Sequence, residues 1–165
     1  MKNIACVTAM LALLWLCSAQ AANTTTVSIT GLVVSGPSCM IIGNSAGRIE
    51  VSFGNALRTD MIDGNNYKVA IPFSLSCTST PSNNLRLQFN GGGSTFDPAV
   101  LGTNIPDLGV QLLKPDGNSL ALGEWFTFGY SPVAPVLQAV PIKRAGSTLS
   151  AGDFGASTTL LLEVL

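Results

Sequence analysis

Apolar residues fall on every second position in one segment after another of this 165-residue chain. Ile49-Glu50-Val51-Ser52-Phe53 puts Ile49, Val51 and Phe53 on one side. Val69, Ile71, Phe73, Leu75 and Cys77 share a parity, and Leu85-Arg86-Leu87-Gln88-Phe89 repeats the pattern. A period of two is the signature of a strand with one face in a core. Pro72 falls on the opposite parity, which marks an edge position or a bulge. Turn signals separate the strands: the Gly/Asn cluster Asp60 to Asn66, the loop Gly91-Gly92-Gly93, and Pro115-Asp116-Gly117-Asn118. The last joins Val110 to Lys114 with Ser119 to Leu122 as a hairpin. Trp125 to Tyr130 reads as an aromatic strand, and Val140 to Arg144 as a short one carrying Pro141. Strands about every ten residues, with no helical period beyond the first twenty, predict a single all-β sandwich domain.

The first 21 residues read as a secretory signal peptide. Lys2 supplies the positive charge, Ile4 to Leu16 the apolar stretch, and Ala19-Gln20-Ala21 the small-x-small cleavage site. The apolar run is too short for a stable membrane anchor. Cleavage removes Cys6 and Cys17 and leaves Cys39 and Cys77. Two cysteines in an exported chain most simply form one disulfide, worth about 4 kcal/mol for a loop of this size in the chain-entropy model.

Side-chain chemistry is sparse. There is no His among the 165 residues, and only 10% are charged. The commonest general base and metal ligand is therefore missing. Asp60, Asp63 and Asp97 sit beside Gly, Asn and Pro, as turn residues do. Gly91-Gly92-Gly93-Ser94 has no following Lys, so it is not a phosphate loop. A formal charge of −1 offers no basic stripe for nucleic acid. The expectation is a protein that is not an enzyme and uses no cofactor or metal. A carbohydrate-binding adhesin remains an alternative, with Trp125, Phe126, Phe128 and Tyr130 as the stacking platform; their mixed parities suit a partly buried strand instead.

The two ends carry the most information. After the signal, Thr25, Val27, Ile29, Gly31 and Val33 share one parity between small polar residues. At the other end, Phe154, Ala156, Thr158, Leu160, Leu162 and Val164 face one way, and the pattern runs to Leu165. Each pattern alone fits an ordinary first or last strand of the sandwich.

With these features in place, the chain resembles the pilins of the bacterial chaperone–usher pathway, the subunits of type 1 and P pilus-like fimbriae. The likeness spans essentially the whole chain. It rests on the signal peptide, the alternating extension ending Gly31-Leu32-Val33-Val34, Cys39 just after it, and Cys77 about forty residues on. The segment Leu108 to Leu113 with Asp116-Gly117-Asn118 and a last strand beginning at Gly152 complete it. The family's usual penultimate aromatic residue is here Val164.

The resemblance implies an incomplete immunoglobulin-like sandwich that lacks its seventh strand and is completed by a donor strand from another chain. It implies a signal peptide over 1–21, a donor-strand extension over 22–34 and a pilin domain over 35–165. Val27, Ile29 and Val33 would be the plugs, Gly31 would pass a shallow point, and Thr25 would fill an outer pocket. Gly152, Phe154, Leu160, Leu162, Val164 and Leu165 would border the acceptor groove and meet the chaperone. Cys39–Cys77 would tie the first strand to the end of the second. The implied partners are a periplasmic pilus chaperone, an outer-membrane usher and neighbouring pilins, and the implied place is a fimbrium on the cell surface. A minor subunit supporting adhesion is the expected role.

Overall fold

A computed structural model of the chain describes residues 28–33, 36, 38–78 and 84–165. The predicted signal segment, Thr25 and Val27 lie outside these. The chain divides into two units, Met1–Val34 and Ser35–Leu165. In the first, residues 28–33 make no ladder, and Ile29, Leu32 and Val33 are 91%, 87% and 97% exposed.

Apart from one 3-10 turn at Thr59–Met61, the regular elements described in the second unit are strands. In chain order these are β1 (Cys39–Gly43), β2 (Val69–Ala70), β3 (Phe73–Cys77), β4 (Leu85–Gly91) and β5 (Leu101–Gly102). They continue with β6 (Leu108–Leu113), β7 (Ser119–Leu120), β8 (Trp125–Phe128), β9 (Gln138–Lys143) and β10 (Thr158–Val164). One sheet has the order β10-β4-β8, and the other β2-β9-β6-β5 with β7 on β6. A third ladder joins β1 to β3, and every pairing is antiparallel.

Burial of alternate residues drives the stacking of the sheets. Leu87 and Phe89 of β4 pack in one cluster with Val110, Leu112, Leu120 and Ala139 from the facing sheet. Each aliphatic side chain taken fully out of water contributes about 1.5–3 kcal/mol, so this layer dominates the stability. The result is an immunoglobulin-like sandwich.

The long strand read over Val69 to Cys77 breaks where Pro72 sits. Val69 and Ala70 pair with β9, Ile71 donates its N–H to Leu137 O at 2.9 Å, and Phe73 to Cys77 pair with β1. Pro72 has no N–H to give either ladder, so the chain changes partners there. Cys39 and Cys77 are directly opposed on β1 and β3, and their sulfurs are bonded at 2.07 Å. Pro141 fits in β9 because β2 reaches only Ala139 on that side.

The aromatic segment splits by parity. Phe126 and Phe128 pack toward the core with centroids 5.7 Å apart. Trp125 faces outward beneath the Arg86 guanidinium at 4.3 Å, and Arg86 also pairs with Glu163. Trp125 is thus already covered by a cation rather than free to stack a sugar. Past the hairpin, Glu124 accepts from Lys114 Nζ at 2.6 Å and from Ala121 N–H at 3.0 Å, which holds its carboxyl below the usual range.

Replacing Leu87, which is completely buried, by Ala should cost about 2–5 kcal/mol through lost transfer energy and the cavity left behind. Urea unfolding of the two proteins checks this, with the exposed Thr127→Ala expected within about 0.5 kcal/mol of the parent.

Candidate functional site: an apolar groove between two free edges

The segment Ile49–Phe53 alternates as a strand should, yet it belongs to no ladder. Its backbone is displaced from β1 by a tight turn. Ser45 and Arg48 exchange hydrogen bonds of 3.1 and 2.6 Å around Ala46 and Gly47, both at positive φ. Gly43 is required at the start of this turn, because a Cβ there would collide with the Arg48 carbonyl. Beyond the turn, the Asn44 amide bonds both N–H and C=O of Glu50. Among the described residues, no backbone hydrogen bond reaches Ile49, Val51, Ser52 or Phe53. The sequence pattern predicts a strand; what is missing is its partner.

The same holds for β10. It pairs with β4 through seven consecutive residues and ends its sheet, so among the described residues its other edge is free. Unpaired edges of this length attract other strands unless something covers them. The reading of one strand over Gly152 to Leu165 is corrected at its start: the ladder begins at Thr158. Asn104 occupies the place of a partner strand over the preceding residues. Its side chain accepts from Gly155 N–H at 2.8 Å and donates to Asp153 O at 3.2 Å, and its own N–H reaches Gly155 O at 3.3 Å.

Between the two edges lies a groove of about 800 Å³. Its floor is the core itself: Ile71, Phe89, Leu101, Val110, Leu112 and Ala139. Ile41, Ile49, Val51 and Phe53 form one wall, and Phe154 to Leu160 the other. The walls meet at one end, where Phe53 and Phe154 pack with centroids 5.9 Å apart. Beyond them is a smaller cavity of about 300 Å³ over Ile62, Leu108 and Leu149.

Of the residues singled out in the sequence, Gly152, Phe154 and Leu160 line the groove. Leu162 packs against the core cluster, Val164 lies opposite Leu85, and Leu165 is exposed with its N–H bonded to Asn84 O at 2.9 Å. On the opposite wall, Ile49 to Phe53 reads in the sequence as a strand face and not as part of a site. The signal was present in Ile49, Val51 and Phe53, but parity does not reveal which strand lacks a neighbour.

The groove's lining includes the charged Arg48 and Asp153, its floor is apolar, and a further ion pair lies outside the lining. Arg58 and Asp60 pair at 2.6 Å, which holds the exposed Asp60 carboxyl below its usual range. Among the described residues, no three of Cys, Asp and Glu converge to hold a metal. The groove offers shape, apolar surface and two rows of backbone donors and acceptors. These are the requirements for receiving an extended strand.

The chain matches the family described as "Fimbrial protein" over residues 27–164. It is 40% identical over 136 residues to the uncharacterized fimbrial-like protein YfcR of Escherichia coli K12, covering 80% of this chain and 76% of that one. It is 29% identical to the putative minor fimbrial subunit PmfE of Proteus mirabilis HI4320, over 82% of this chain and 42% of that one. The fold superposes on the P pilus rod subunit PapA with a TM-score of 0.62 at 20% identity, over 85% of this chain and all of the other. The P pilus adaptor subunit PapF gives 0.56 at 25% identity, over 79% and 98%.

An empty apolar groove should bind a dye such as ANS. Titrating a peptide of residues 22–34 should then displace the dye and quench its fluorescence; fluorescence that is absent from the start or insensitive to the peptide would count against an open groove.

Proposed function

The chain belongs to the fimbrial protein family, and on that premise we propose that it is a structural subunit of a bacterial surface fimbria whose groove is filled by a strand from a neighbouring subunit. One observation carries the reading: two free edges, Ile49–Phe53 and β10, flank a groove floored by the hydrophobic core. A strand laid between them satisfies both edges and covers the floor in one step.

The chain also holds a segment suited to fill such a groove in the next subunit. Ile29 and Val33 are apolar, on one parity and almost fully exposed. With Val27 they supply plugs, Gly31 passes where a side chain would clash, and Thr25 fills an outer pocket. Each aliphatic plug contributes about 1.5–3 kcal/mol on full burial. Several such plugs, added to main-chain bonds along two edges, exceed the entropic cost of fixing the segment.

Before assembly, the same groove is covered by a strand lent by a periplasmic pilus chaperone, and an outer-membrane usher delivers the subunit to the fibre. The exposed end of β10, with Leu162, Val164 and the Leu165 carboxylate, is where the chaperone meets the subunit. The likeness to a protein called a putative minor fimbrial subunit supports a minor role. Adhesion is then a property of the assembled fimbria.

Ile29→Asp or Gly31→Trp should remove the subunit's ability to enter a neighbouring subunit's groove while leaving its own groove competent. Ile29→Asp forfeits at least one plug, so binding of the altered 22–34 peptide should weaken by about tenfold or more. Unchanged incorporation of either variant into fibres, seen by immunolabelled electron microscopy, would sink the assignment.

A further inference from the structure

Ten large apolar side chains are strongly exposed among the described residues. Ile29, Leu32 and Val33 lie in the extension, and Met40, Ile42 and Leu161 lie on the strands beside the groove. The other four fall at opposite ends of the domain. Met61, 43% exposed, sits in a loop fastened to the far end of β9, where Lys143 Nζ donates to Thr59 O at 2.9 Å. Val133 and Val136, 75% and 56% exposed, sit just before the near end of β9, in the loop Ser131-Pro132-Val133-Ala134-Pro135-Val136. Leu165 lies at that near end too, through its bond to Asn84. β1 also starts at the near end, because Cys39 opposes Cys77 and the short link from Cys77 to β4 begins there.

Covalent reach connects these two ends. From Val33 to Cys39 there are six residue steps, which span at most about 20–22 Å. When Val33 is seated in another subunit, Cys39 and with it the near end of this domain therefore stay within about 20–22 Å of that seat. The direction follows from the sheet. All its pairings are antiparallel, and an antiparallel partner on β10 pairs better than a parallel one. Running antiparallel to β10, the strand places Val33 beside Phe53 and Phe154, at the end that carries Met61.

We propose that Val133 and Val136 of one subunit pack on Met61 of the subunit whose groove holds its extension, forming a second, head-to-tail contact between successive copies. The inference rests on the donor-strand reading above. Such a contact is heterologous: the near end of one copy meets the far end of the other. It sets the angle between successive domains, which the short link alone leaves free. The occupant is a second copy of the domain, since the tether brings no other molecule to this face.

The test uses the full-length chain allowed to assemble on itself, with the 22–34 peptide as a parallel probe. A protein carrying Val133→Cys and Met61→Cys should form intersubunit crosslinks on oxidation, seen as a ladder on non-reducing gels. Val133→Asp with Val136→Asp should bind the peptide as the parent does, yet release from a neighbouring subunit about tenfold faster. Normal peptide binding with no ladder and unchanged release would overturn the contact and leave the donor-strand reading standing. Failure of the parent to bind the peptide would overturn both.

Discussion

A strand with no partner is the constraint on which this structure depends. Ile49–Phe53 and the outer edge of β10 each present unpaired backbone groups. The gap between them exposes the floor of the core. Backbone groups need hydrogen-bond partners once they leave water, and apolar floors need cover. The domain alone meets the first need only with solvent and leaves the second unmet. Its stability and its assembly therefore concern the same surface.

The rest of the fold serves to hold that gap open in one shape. The turn at Ser45–Arg48, braced by Asn44, shifts the chain from β1 to the free edge. Asn104 fixes the segment leading into β10. On the outer face, Arg86 lies between Trp125 and Glu163 and ties β10 to β4 and β8. This pair is partly exposed, so its energetic worth is small; its use is to keep the edge strand in register. The bond between Cys39 and Cys77 joins β1 to β3, away from the opening. No step needs an acid, a base or a metal. A chain without His and with few charges is sufficient for a joint made of edges, plugs and a groove.

Much of this was legible in the sequence, for physical reasons. Period-two alternation over Leu85–Phe89, Phe73–Cys77 and Thr158–Val164 marks half-buried strands, and each is found. Pro72 marks an edge position or a bulge in the sequence; in the structure it is the break between β2 and β3, because it cannot donate to either ladder. Parity did not mark β1, since Cys39-Met40-Ile41-Ile42-Gly43 is nearly all apolar and hides its alternation; only the resemblance put Cys39 on a first strand. The reason lies in its setting: Met40 and Ile42 stay exposed beside the gap. The groove itself could not be read from any one segment. Parity says that Ile49, Val51 and Phe53 face a core; it does not say that nothing pairs with them. That information resides in the topology, and sequence reached it only through the resemblance of the two termini to a known family.

The most direct measurement is amide hydrogen exchange of the folded domain with and without the 22–34 peptide. Without it, the amides of Ile49, Val51, Ser52 and Phe53 and the outward-pointing half of those in β10 should exchange fast, while β4 and β6 stay protected and Glu50 is shielded by Asn44. With the peptide bound, both edges should gain protection together, because one strand serves both. Edges already protected in the free domain, or protection gained on one edge only, would contradict the account.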